Sequence, residues 1–139
     1  MRWNIEVFHR TLKSGCRIED RRLGSADSLQ ACLAIDLVVA WRVMWLSKLG
    51  RETPEVPCAV FFEQAEWQAL HCHHHRSPNP PETPPTLGEA MHMVAKLGGF
   101  LGRKCDGSPG ATALWRGLAR LADITDTFAI FHPSFPAGP

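Results

Sequence analysis

The stretch LQACLAIDLVVAWRVMWLSKL, residues 29–49, decides the fold. It is as long as a membrane span, which needs roughly 20 predominantly apolar residues. Asp36 and Arg42 interrupt it near its middle, where a charge costs roughly 2.5–3.5 kcal/mol on insertion scales. The stretch therefore reads as a buried core helix, and no membrane partner is expected. Ser25 and Asp27 stand ahead of it as N-cap residues, and Gly50 is the expected stop.

Working outward, a charged connector from Cys16 to Gly24 precedes this helix, carrying Arg17, Glu19, Asp20, Arg21 and Arg22. Before that, Arg2 to Lys13 has a helical period that stops near Gly15. Downstream, Thr53 to Pro57 is a proline-bearing turn. A shorter helix is expected over Cys58 to about Leu70, although Val60-Phe61-Phe62 also reads as a short strand. The run from Arg76 to Thr86 holds Pro78, Pro80, Pro81, Pro84 and Pro85, which remove backbone donors and fix φ, so it is an extended linker or ordered loop. Thr86 then caps a helix through Leu97 that Gly98-Gly99 closes. A turn with Gly102, Gly107 and Gly110 leads to a last helix from about Ala111 to Phe131, ended by Pro133 and Pro136. No convincing set of alternating strands and no repeat appears, so the fold class is mainly α.

The chain has 139 residues, enough for one domain or for one domain and the tail of another. A net charge of +1 gives no general affinity for nucleic acid, so any such contact must come from local patches. Five cysteines, with no C-x-x-C pair, suit reduced thiols in a cytosol better than a disulfide framework. The start enters an amphipathic pattern at once, without the apolar region of a secretory leader.

On the opening helix Arg2, Glu6, His9 and Lys13 fall within about 60° of one another at 100° per residue. Ile5, Phe8 and Leu12 form the neighbouring apolar sector. A carboxylate is the hard ligand that Mg²⁺ or Mn²⁺ takes, and Arg and Lys suit phosphates. The plainer alternative is a solvated face with an Arg2–Glu6 pair contributing a few tenths of a kcal/mol.

The segment from Arg2 to Gly15, with its Ile5-Glu6-Val7-Phe8-His9 centre, resembles the signature around the last catalytic carboxylate of cut-and-paste DDE transposases of the Tn-five type, in the IS-four insertion-sequence family. That signature reads Tyr-x-x-Arg-x-x-x-Glu-x-x-x-x-x-x-Lys; Arg2, Glu6 and Lys13 match its last three positions, and its Tyr would lie before Met1. Gly15, Glu19 and Arg22 follow the family's charged connector. Lys96-Leu97-Gly98-Gly99-Phe100 and Ala113-Leu114-Trp115-Arg116-Gly117 look like two landmarks of its dimerisation domain.

The resemblance implies an RNase H-like catalytic domain whose last helix and connector occupy residues 1–27, followed by a helical dimerisation region over 28–139. It makes Glu6 the Glu ligand of a two-metal centre that uses Mg²⁺ or Mn²⁺, and it makes Arg2, Lys13 and Arg22 contacts to transposon-end DNA. Two metals stabilise the attacking and leaving oxygens of an in-line phosphoryl displacement. Two Asp ligands complete that centre in the family and belong upstream of Met1, so this polypeptide is expected not to cut DNA alone. A homodimer, or a heterodimer with full-length transposase, is the implied assembly, in a bacterial cytoplasm at the nucleoid.

On the last helix Trp115, Leu121, Ile124, Phe128 and Phe131 are the candidate pairing residues, beside Leu114 and Leu118. Ordinary core is the alternative for each, and the favoured one for Trp115 and Leu118. His71-Cys72-His73-His74-His75 carries imidazole and thiolate, but lacks the paired spacings of a structural zinc site. Two further readings remain open beside the transposase segment. One is a non-enzymatic protein that pairs with full-length transposase and inhibits it. The other is a small helical metal-binding module centred on the histidines.

Overall fold

The structure, a computed structural model, describes Glu6, Phe8, His9 and residues 25–132. The mainly α expectation holds. Between residues 25 and 132 the chain forms α1 (Ala26–Glu52), a 3-10 turn (Cys58–Val60), α2 (Gln64–His75), α3 (Leu87–Leu97) and α4 (Ala111–Phe131). No strand occurs among the described residues; an isolated bridge between Pro57 and Thr86 ties the two proline-bearing loops together. Phe61 and Phe62 thus follow a 3-10 turn rather than lie in a strand.

α3 is the central helix, packed against α1, α2, α4 and the 3-10 turn, while α4 also crosses α1 and α2. Its entry is fixed by a capping box. The Thr86 hydroxyl accepts the Glu89 N–H at 3.3 Å, and the Glu89 carboxylate accepts the Thr86 N–H at 3.0 Å. α2 opens with the same reciprocal arrangement between Glu63 and Glu66. Val43, Leu46, Phe62, Trp67, Leu70, Leu87, Val94, Leu114 and Leu121 form one core among the four helices.

Two corrections concern the decisive stretch. α1 does not stop before Gly50 but runs on to Glu52, where the Thr53 N–H bonds to the Leu49 carbonyl at 2.8 Å. Gly50 serves a crossing instead: a Cβ there would lie 2.5 Å from the Met91 sulfur, so a larger residue would require the Met91 side chain to move aside where α1 meets α3. Nor is α1 a wholly buried helix. Ala40, Val43, Leu46, Ser47 and Gly50 lie on an inner face in the core, whereas Ile35, Val38 and Trp41 are 63%, 61% and 53% exposed. Arg42 settles its charge by reaching Glu66 of α2 at 3.0 Å, with its guanidinium over the Phe61 ring.

α3 and α4 meet still more closely. A Cβ on Gly98 would overlap the Ala113 carbonyl, and one on Gly117 would overlap the Val94 carbonyl. Backbone therefore touches backbone at both ends of this crossing.

Candidate functional site

Arg2, Lys13 and Arg22 lie outside the described residues, as do Ile5 and Leu12. Glu6 and His9 have helical backbone and are exposed, and Phe8 is half-buried. Among the described residues no group of three His, Cys, Asp or Glu side chains is arranged to hold a metal ion. The residues around Glu6 lie mostly outside the described ones, and no chemical step is assigned to it.

The candidate pairing stripe on α4 divides. Leu121 is 1% exposed and Phe128 is buried, so both serve the monomer's own packing. Leu114 and Leu118 are core as well, and Trp115 packs on the core's edge. Ile124 is half-buried beside a groove of about 360 Å³ between α2 and α4 that Cys72, His73 and Asp123 also line. Phe131 projects into solvent at the end of α4 next to Ile130. Of the five residues, Phe131 is the one that offers a large exposed apolar surface.

A second surface was hidden in the sequence. At 100° per residue Leu37, Val38 and Trp41 occupy the side of α1 opposite its buried face. Trp45 extends it, with its ring edge-on to Trp41 at 5.4 Å. The signal was present: the helix is apolar all round, and such a helix needs cover on both sides.

The third feature is a groove of about 540 Å³ between α2 and α3. His71, His74 and His75 line it from α2, with Gly88, Glu89, His92 and Lys96 facing them from α3. The His71 and His75 rings stack at 4.0 Å and 10°. Burial first, and then the neighbouring His75, hold the His71 imidazole below its ordinary pKa; burial and the nearby Lys96 do the same for His74. Sequence reading found the α2 histidines but missed Glu89 and His92, because only the fold turns a separate helix toward them. Cys58, by contrast, is an inert core thiol, which burial pushes up to about 11.

Residues 38–134 match the family model described as Transposase Tn5 dimerisation domain. The match runs from the outer face of α1 to just beyond α4, and it includes the α3–α4 crossing. Both glycine-bearing landmarks sit at that crossing: Gly98 in Lys96–Phe100 and Gly117 in Ala113–Gly117. By this match over most of its length, the chain belongs to the Tn5 transposase dimerisation domain family.

Proposed function

We propose that this chain is the protomer-pairing segment of a Tn5-type insertion-sequence transposase and acts in DNA transposition through self-association. The family match over residues 38–134 carries this reading. Two uncovered apolar patches support it: Leu37, Val38 and Trp41 on α1, and Ile130 with Phe131 at the end of α4. Exposed apolar surface of this kind is what a partner protomer would remove from water. Sedimentation velocity across a range of concentrations tests it. A concentration-dependent dimer that Val38→Glu or Phe131→Glu disperses is expected, and a monomer at every concentration would overturn the proposal.

In the same reading Glu6 is the last carboxylate of the catalytic centre, and Arg2, Lys13 and Arg22 hold transposon-end phosphates. Residues 1–27 then belong with the catalytic domain and residues 28–139 with the pairing region, in a cytoplasmic, nucleoid-associated protein. One Glu cannot hold two divalent ions in line across a phosphodiester. The purified chain is therefore expected to show no Mg²⁺-dependent nicking of end DNA; cleavage abolished by Glu6→Ala would contradict this. Pairing with a longer transposase that contributes its own metal ligands would make the chain an inhibitory partner. Co-purification of the two chains, with loss of cleavage as this one is added, is the measurement.

A further inference from the structure

We infer that the groove between α2 and α3 takes the phosphates of a DNA backbone, and that it does so when its histidines are protonated. With a net charge of +1 for the whole chain, a contact of this kind needs a local concentration of cations. The groove provides one. His71, His74 and His75 line it from α2, and His92 and Lys96 line it from α3. The loop between the helices adds only Pro85, and Glu89 is the one acid among the described residues that line it. That carboxylate is tied to the start of α3, where it accepts the Thr86 N–H at 3.0 Å. The cations are spaced for a chain of phosphates rather than for a single ion. His71 and His75 stand four residues apart on α2, and His92 and Lys96 four apart on α3, which is about 6 Å of rise along each wall. The choice of DNA rests on the transposition reading above, whereas the phosphate chemistry rests on the groove alone. Neither apolar patch lines the groove, so the site does not depend on self-association.

The ring nitrogens make the groove a switch. His75 Nδ1 lies 3.2 Å from the His71 carbonyl, and His92 Nδ1 lies 2.9 Å from the Gly88 carbonyl. A carbonyl only accepts, so each Nδ1 carries the proton of the neutral ring. Nε2 then holds a lone pair, which repels a phosphate oxygen; a second proton turns it into a charged donor. Burial first, and then the neighbouring His75, disfavour charge on His71; burial and then Lys96 disfavour it on His74. The cations of the groove thus repel one another, and a polyanion laid along it offsets that repulsion. Phosphate binding and proton uptake are therefore linked, each favouring the other. Affinity rises as pH falls through the ordinary histidine value of about 6.5, while Lys96 contributes on both sides of it.

Fluorescence anisotropy of a labelled DNA duplex titrated with the full chain, near pH 6 and near pH 8 at fixed ionic strength, tests the site. Binding roughly tenfold tighter near pH 6 is expected. His75→Gln combined with His92→Gln should remove most of that gain. Lys96→Gln should weaken binding severalfold at both pH values and lower the slope of log Kd against log salt by about 1. Glu89→Gln keeps the capping box, because Gln serves at that position, and should strengthen binding. His73 lines the other groove, against α4, so His73→Gln is the control and should change nothing. Circular dichroism of each variant checks that the helices persist. A monomer by sedimentation that still binds the duplex in this pH-dependent way would break the pairing reading and support this one. Equal affinity at both pH values would overturn the proposal. So would an equal loss in the His73 variant, or a pH gain untouched by the double variant. Tripolyphosphate that binds with the pH gain when the duplex does not would overturn the assignment to DNA.

Discussion

α1 and α3 are both rich in apolar residues, yet they stand in opposite relations to solvent. Of the 11 residues of α3, Leu87, Ala90, Met91, Met93, Val94 and Ala95 are buried, and the helix touches every other helix. α1 has 27 residues and also buries six, two of them the polar Asp36 and Ser47. The surplus on α1 is therefore not covered by the other described residues. A core helix uses its apolar content in intramolecular packing, whereas the outer face of α1 is left uncovered by the other described residues. The comparison separates residues that hold the fold from residues that serve association.

The largest expected effect falls on the α3 side. Gly117→Val or Gly98→Val drives a side chain into the opposing carbonyl; a loss of about 3 kcal/mol or more is expected by overpacking. A urea midpoint that stays near the wild-type value would show that the helices can separate freely. On the α1 side the contrast predicts the reverse. Val38→Glu or Trp41→Glu should leave monomer stability within about 0.5 kcal/mol and abolish self-association, as read by sedimentation and thermal melts at low concentration. If either variant unfolds the monomer, the division between the two helices fails.

A smaller effect sharpens the account of α3. Thr86→Ala removes one half of its capping box and should cost about 1 kcal/mol, seen in the urea midpoint, while Ser25→Ala at the exposed start of α1 should cost less. The smallest effect is pH-dependent. His71 and His74 hold their folded pKa values below the ordinary value near 6.5. The unfolded chain thus takes up protons first as pH falls, and stability declines from about pH 6.5 toward the lower folded values. His74 is exposed and His71 only half-buried, so the decline should be slight. His74→Gln should reduce it, and a midpoint that rises on acidification would refute the sign.

Much of the fold was legible because local signals and packing agree. Thr86, Gly98-Gly99 and the proline run mark α3 correctly, and the Ala111–Phe131 helix was read at its full extent. Gly50 misled because a glycine after an apolar run signals a helix end as readily as a close crossing, and only the position of Met91 distinguishes them. Leu121 and Phe128 were named as pairing residues because a stripe on one helix does not say whether its cover comes from the same chain. The histidine groove was half legible for a related reason: His71 and His75 are four residues apart, but Glu89 and His92 arrive from another helix beyond a proline loop.

The glycine contacts between α3 and α4 bear on how the chain opens. They join segments only some twenty positions apart, so closing that hairpin takes little loop entropy, whereas docking α1 against it brings in more distant partners. Amide exchange should accordingly be slowest along Val94–Leu97 and Leu114–Leu118, and fastest from Ala26 to about Ile35, before the first buried residue of α1. The chain would then have a rigid hairpin as its anchor and an α1 whose opening turns exchange fastest. Those opening turns are the part of α1 that the described core leaves uncovered, so slowed exchange there would report that a partner has engaged.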